Sequence, residues 1–211
     1  MHAVPPRFLV AQVEAVLDDL DVRAVKAGML LNAENVGVVA ALAAAGRLPQ
    51  LVVDPVMVSA SGDRLLERSA ERAYIDELLP QAMVLTLNLL EAQVLLSARI
   101  ETLTERPEAA RALGALGPRV VVLTGGGEGD AVDVVWNGTT VSELRTPWVE
   151  TSNTHGTGCT FAAAITAGLA RGHEVDESLR RAKAYVSAAI RGAALWHLGT
   201  GHGPLDHFGW S

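Results

Sequence analysis

Leu51-Val52-Val53-Asp54-Pro55 is a run of three apolar β-formers closed by a carboxylate and a proline. A strand that is apolar at successive positions, rather than at alternate ones, is buried on both faces. That is how strands read in a parallel sheet covered by helices. The pattern recurs along the chain. Residues 23–27 read as a short strand closing at Gly28, residues 83–87 as a strand followed by Asn88, and residues 119–124 as a strand running into Gly125-Gly126-Gly127.

Between these strands the apolar spacing becomes helical. Residues 8–20 carry Leu9, Val13, Val16, Leu17 and Leu20 on one face. Residues 33–45 follow Asn32 as N-cap and stop at Gly46. Helices are also expected over 68–79 (stopped by Pro80), 89–96, 107–116 (Pro107 in its first turn), 160–170 and 175–195. Residues 59–62 read as a loop, and residues 199–211 as a Gly- and His-rich tail. Asn137-Gly138, between 130–136 and 139–146, is a hairpin signal. Four apolar strands alternating with helices define an α/β fold with a mainly parallel sheet.

Size and composition agree with this. A chain of 211 residues fits one domain, and small apolar residues outnumber aromatics, which suits α/β packing better than a β-sandwich. The net charge of −7 argues against nucleic acid or an anionic membrane as partner. Only Lys26 and Lys183 of the 17 cationic side chains are lysines, which reads as a bias towards arginine. One cysteine cannot form an internal disulfide, so a reducing cytoplasm is the default setting. Residues 1–20 lack a signal-peptide pattern, being broken by Pro5-Pro6, Glu14 and Asp18-Asp19, and no uncharged apolar run approaches a membrane span.

In sheets of this kind ligands sit beyond the carboxyl ends of the strands. Asp54, Asn88 with Glu91, and Thr124-Gly125 all fall there. Asn153-Thr154-His155-Gly156-Thr157-Gly158-Cys159-Thr160 joins them as a glycine-punctuated turn entering an apolar helix, which makes an anion site of converging N–H groups. Each group has a plainer reading. Asp54 is either a Mg²⁺ ligand or a turn residue. Asn88 and Glu91 have the spacing of a capping box as well as that of a polar site. Thr124 and the glycines after it form either a phosphate turn or a tight turn into the hairpin. Cys159 is either a packing residue or, at a helix start, a thiol of lowered pKa acting as base or nucleophile. His155 and His202 are candidates for substrate contact and, with His207, lack metal-site spacing.

Six segments occurring in order over almost the whole chain carry a resemblance. They are Val25-Lys26-Ala27-Gly28-Met29-Leu30, Asp54-Pro55-Val56-Met57-Val58, Ser61-Gly62-Asp63, Asn88-Leu89-Leu90-Glu91-Ala92, the turn 153–160, and Gly201-His202-Gly203-Pro204. With them the chain resembles the hydroxymethylpyrimidine/phosphomethylpyrimidine kinases of thiamin biosynthesis, in the ribokinase-like superfamily. The resemblance implies a three-layer α/β/α domain over residues 1–211. It implies ATP- and Mg²⁺-dependent phosphorylation of 4-amino-5-hydroxymethyl-2-methylpyrimidine and then of its monophosphate. It implies Cys159 as catalytic residue, the N–H groups of Gly156, Thr157 and Gly158 as anion hole, and Asp54 and Glu91 for Mg²⁺. Asn88, Thr124 and Gly125 would meet the nucleotide, and Met29, Val56 and His155 the pyrimidine. Members of the family are commonly dimeric, so a homodimer is open.

The chain also departs from the family. Relatives begin with a further segment holding a Gly-rich strand-turn, so N-terminal strands of the sheet are expected to be missing here, leaving apolar helix surface exposed. Thr124 and Ala60 stand where a lysine is frequent, and Leu87 and Leu90 where prolines are common. Two other readings follow: a pyridoxal-type kinase, towards which Thr124 leans, and a non-catalytic remnant that binds nucleotide or pyrimidine.

Overall fold

The computed structural model describes residues 2–58, 65–126 and 129–209. The expected loop 59–62, the Ser61-Gly62-Asp63 segment, Ala60 and Gly127 lie outside the described residues. Strands β1 (Lys26–Ala27), β2 (Val52–Val53), β3 (Val84–Asn88) and β4 (Val120–Thr124) pair in parallel in sequence order. The hairpin β5 (Asp130–Trp136) and β6 (Val141–Pro147) extends the sheet antiparallel from β4.

Right-handed crossovers between strands taken in order put every connecting helix on the same face. That face holds α2 (Ala33–Ala44), α3 (Arg68–Ala73), α4 (Leu89–Leu96) and α5 (Arg106–Gly114). Val53, Leu85, Leu87, Val121 and Leu123 point into its core. The alternate residues, Val52, Val84, Val120 and Val122, meet Phe161, Ile165, Leu179 and Val186 on the other face. These come from α6 (Thr157–Ala170) and α7 (Val175–Ala193), which follow the hairpin. The period-2 alternation of a pleated strand thus supplies both cores from one run of valines and leucines, and the result is the three-layer α/β/α architecture. Helix α1 (Pro6–Asp19) packs Leu9, Val13 and Leu17 against the first core, while Phe8 and Val16 stay exposed. Among the described residues no helix is long and apolar enough to cross a membrane.

Three local expectations need correction. The expected strand 23–27 pairs only over Lys26–Ala27. The expected helix 68–79 is regular only to Ala73, then widens into a π turn (Tyr74–Leu78) and tightens into a 3₁₀ turn (Leu79–Gln81) containing Pro80. Proline has no N–H for the carbonyl four residues back, and the wider turn lets Leu79 N–H reach the Tyr74 carbonyl instead. Helix α6 begins at Thr157, not at residue 160. Gly156 alone takes the left-handed conformation (φ 84°), so Thr157, Gly158 and Cys159 already form the first helical turn.

Candidate active site

Beyond the carboxyl end of β2 the backbone makes an unusual turn. Val56 has φ 48°, a region that strongly disfavours a β-branched residue. Two buried groups hold it there. Tyr74 Oη shares its one proton between the carbonyls of Gly28 (3.3 Å) and Pro55 (3.4 Å), joining the ends of β1 and β2. Burial, then the nearby Asp54 carboxylate, push the Tyr74 phenol well above its ordinary pKa, so it remains a donor. Glu91 Oε1 accepts from Met57 N–H at 3.0 Å.

Glu91 is buried, and its other oxygen accepts from Asn88 N–H at 3.0 Å, while Asn88 Oδ1 accepts from Glu91 N–H at 3.0 Å. The capping box is therefore formed, and it also clamps the 54–57 turn to the start of α4. Burial raises the Glu91 pKa, opposed by the backbone donors of Asn88 and Met57.

Asp54 is 6% exposed, and Lys26 Nζ lies 3.0 Å from its Oδ2. That oxygen makes no directional hydrogen bond with any described residue, so the contact is a charge pair with unused acceptor capacity. Cys159, exposed at the start of α6, lies within the field of both groups. The expected lowering of its pKa is overturned. Partial burial first, and then the Asp54 carboxylate, push the thiol up, with Lys26 acting in the opposite sense. A helix dipole contributes only about 0.3–1 kcal/mol at an exposed terminus and is outweighed by a neighbouring carboxylate. The sign of each contribution can be tested by following alkylation of Cys159 by iodoacetamide against pH. Asp54→Asn removes the charge that disfavours thiolate, so its alkylation profile is expected to shift to lower pH than that of the unmodified chain. Lys26→Met is expected to shift it to higher pH. Coincident profiles for all three would show that Asp54 and Lys26 do not reach the thiol.

Backbone donors at the turn are only partly those expected. Thr157 N–H is engaged by the Thr154 carbonyl at 3.2 Å, and Thr160 N–H by that of Gly156 at 2.8 Å. Among the described residues no acceptor meets the N–H groups of Gly156, Gly158 and Cys159. The open set therefore substitutes Cys159 for Thr157. His155 N–H donates to the Gly203 carbonyl at 3.0 Å, and its ring stands exposed.

The start of α6 separates two hollows. One is a cleft of about 440 Å³ lined by Asn88, Thr124, Gly125, Asp133, Trp148, Thr157, Gly158 and Lys183, among others. The other is an open groove of about 720 Å³ that takes in Gly156 and Cys159. Met29, Val56 and His155 line neither. Met29 is exposed beyond β1, and Val56 is half-buried beyond β2. Thr124 Oγ1 donates to the Leu87 carbonyl at 3.1 Å, and Gly125 N–H to Asp133 Oδ1 at 3.2 Å, so the turn after β4 has fewer open donors than its glycines suggest. Asp133 also accepts from Lys183 Nζ at 2.8 Å. Sequence reading missed Asp133 and gave neither lysine a role. Both lysines of the chain form ion pairs at this edge, with side chains at most 21% exposed, and their scarcity elsewhere was the available signal. Among the described residues no group of three or more acidic, histidine or cysteine side chains is arranged to hold a metal ion.

The family model described as phosphomethylpyrimidine kinase matches residues 1–206. The hydroxymethylpyrimidine/phosphomethylpyrimidine kinase of Streptomyces coelicolor is 46% identical over 209 residues, covering 99% of this chain and 76% of that protein. The thiamine biosynthesis bifunctional protein of Geobacter sulfurreducens is 44% identical over 209 residues, covering 98% of this chain but only 42% of its own length. Among solved structures, the pyridoxal kinase of Bacillus subtilis in complex with ADP superposes with a TM-score of 0.89 at 36% identity, over 97% of this chain and 77% of that one. Matched from end to end by relatives well above 30% identity, the chain belongs to the phosphomethylpyrimidine kinase family.

Proposed function

We propose that the chain is an ATP-dependent kinase acting as a single domain. It transfers the γ-phosphoryl group to the hydroxymethyl oxygen of 4-amino-5-hydroxymethyl-2-methylpyrimidine, and then to the resulting monophosphate, in the cytoplasm. The observation that carries this reading is the start of α6. Open N–H groups of Gly156, Gly158 and Cys159 crown a helix, with the Cys159 thiol on one side and a nucleotide-sized cleft on the other. The relatives named above supply the substrate class.

Phosphoryl transfer asks for alignment and charge neutralisation more than for covalent chemistry. In this reading the helix-start donors receive the equatorial oxygens of the group in flight, where fixed dipoles cost no reorganisation. Asn88, Thr124 and Gly125 border the nucleotide, and the acceptor oxygen stands at Cys159. Met29, Val56 and His155 contact the pyrimidine. Mg²⁺, when bound, would supply further neutralisation of the phosphates. Asp54 fits it, because its Oδ2 has unused acceptor capacity, whereas both Glu91 oxygens already receive backbone donors. Lys26 pairs with the Asp54 carboxylate and holds it in place.

A pyridoxal-type kinase is the second reading, favoured by the superposition on a pyridoxal kinase and by the hydroxyl at Thr124. Parallel assays of ADP release with the hydroxymethylpyrimidine and with pyridoxal separate the two. Preferred turnover of the pyrimidine is expected. Preferred turnover of pyridoxal would transfer the assignment, and nucleotide binding without turnover of either would leave a binding protein.

A further inference from the structure

Arg106 is the first residue of α5, and its guanidinium presses against the turn after β4. A Cβ placed on Gly125 would come within 2.6 Å of Arg106 Nη1, so the glycine is needed for this approach. Nε and Nη1 of Arg106 are shut off from solvent and meet no acceptor among the described residues. The carboxylate that faces them, Asp133, already accepts from Lys183 and from Gly125 N–H. Asp133, Lys183 and Gly125 line the cleft, and Arg106 lies behind Gly125; two cations therefore share one anion there, and one of them has buried donors that meet no acceptor among the described residues. A guanidinium does not relieve this by losing its proton, and unsatisfied charged donors are costly to bury. Such a group is satisfied when an anion arrives.

We infer that Arg106 is the cation that receives the phosphate chain of the nucleotide at the 124–126 turn. The inference rests on the kinase reading above and adds a binding residue to it. Gly125, on which Arg106 lies, lines the cleft away from Cys159, so the phosphates concerned are those of the nucleotide and not of the acceptor. It also provides the positive charge at a turn where residue 124 is a threonine.

Calorimetric titration of the full chain with ADP and with adenosine, in Mg²⁺ buffer, tests this. Arg106→Ala is expected to weaken ADP by on the order of tenfold to a hundredfold, the worth of a charge-assisted hydrogen bond, with adenosine unchanged. The dependence of ADP affinity on salt should become shallower, and Arg106→Lys should restore part of the loss. Unchanged ADP affinity in Arg106→Ala would overturn the inference. So would equal losses of ADP and adenosine with a lowered melting temperature, which would make Arg106 a prop for the glycine turn. If the unsubstituted chain binds neither ADP nor ATP, the kinase reading itself falls, a result distinct from both.

Discussion

Cys159→Ala is expected to lower turnover of the hydroxymethylpyrimidine by about a hundredfold to ten-thousandfold, the usual worth of a positioned acid–base group. Nucleotide affinity should stay within about twofold, since Cys159 opens onto the groove and not onto the cleft of Asn88, Thr124 and Gly125. The loss should therefore appear in kcat and not in the KM for ATP. Cys159→Ser then separates two ways the thiol could act. Burial and Asp54 hold its pKa up, so at neutral pH it keeps its proton and can hydrogen-bond the acceptor oxygen. A hydroxyl replaces a hydrogen-bonding group at modest cost, so the serine variant should retain much more activity than the alanine. If the thiol instead removes the proton as thiolate, serine should be as poor as alanine, and the rate of the unmodified chain should climb with pH through the raised thiol pKa. An unchanged rate in Cys159→Ala would remove the residue from the mechanism.

The sheet was legible because its signals are local. Three-residue runs such as Leu51-Val52-Val53 declare burial on both faces, Asn32 and Asn88 cap the helices that follow them, and Asn137-Gly138 turns the hairpin. The departures begin where two local signals compete. Pro80 marks a stop, yet a buried Tyr74 and Leu78 keep the backbone winding to it through a π turn. The glycines at 156 and 158 suggest a turn, yet only Gly156 has a positive φ and helix formation claims the next residue.

The site was legible in part, for the same reason. Strand ends and helix starts can be located along a sequence, so Asp54, Glu91 and Cys159 could be named, and the structure brings them together. What lies opposite them cannot be located in this way. Lys183 reaches Asp133 across 50 positions, and Met57 reaches Glu91 across 34. The pKa of Cys159 was read with the wrong sign because the helix start is visible in sequence, whereas the carboxylate brought beside it by the fold is not. The two lysines show a composition signal that was available and misread. In a chain whose surface cations are arginines, a lysine marks a place where a compact ammonium over one carboxylate oxygen fits better than a planar fork.

Asn153→Ala is expected to destabilise the chain by roughly 1–3 kcal/mol, because it leaves the Trp196 carbonyl without a donor, while the Ala193 carbonyl keeps only the Trp196 N–H. Asn153 is 4% exposed, and its Nδ2 donates to the carbonyls of Ala193 (2.7 Å) and Trp196 (2.8 Å) at the end of α7. Its Oδ1 fills the space that a Cβ on Gly203 would need, and Gly203 in turn accepts from His155 N–H. The Gly201-His202-Gly203-Pro204 segment thus has a physical reason for a glycine at its third position: the tail closes over Asn153 and pins the 153–156 turn from which α6 starts. For a chain of this size the loss corresponds to a melting temperature lower by roughly 2–12 °C. Turnover should fall about tenfold or more at temperatures where the variant is still folded, since a small displacement of the helix start misaligns Cys159 and the open N–H groups. Asn153→Asp is the sharper substitution. A carboxylate has no donor to offer and would face two carbonyl oxygens, so at neutral pH it should be less stable than the alanine variant and should regain stability as the pH falls and the carboxyl protonates. An aspartate variant as stable as the unmodified chain, or an alanine variant of full activity, would show that the start of α6 is held by something other than this clasp.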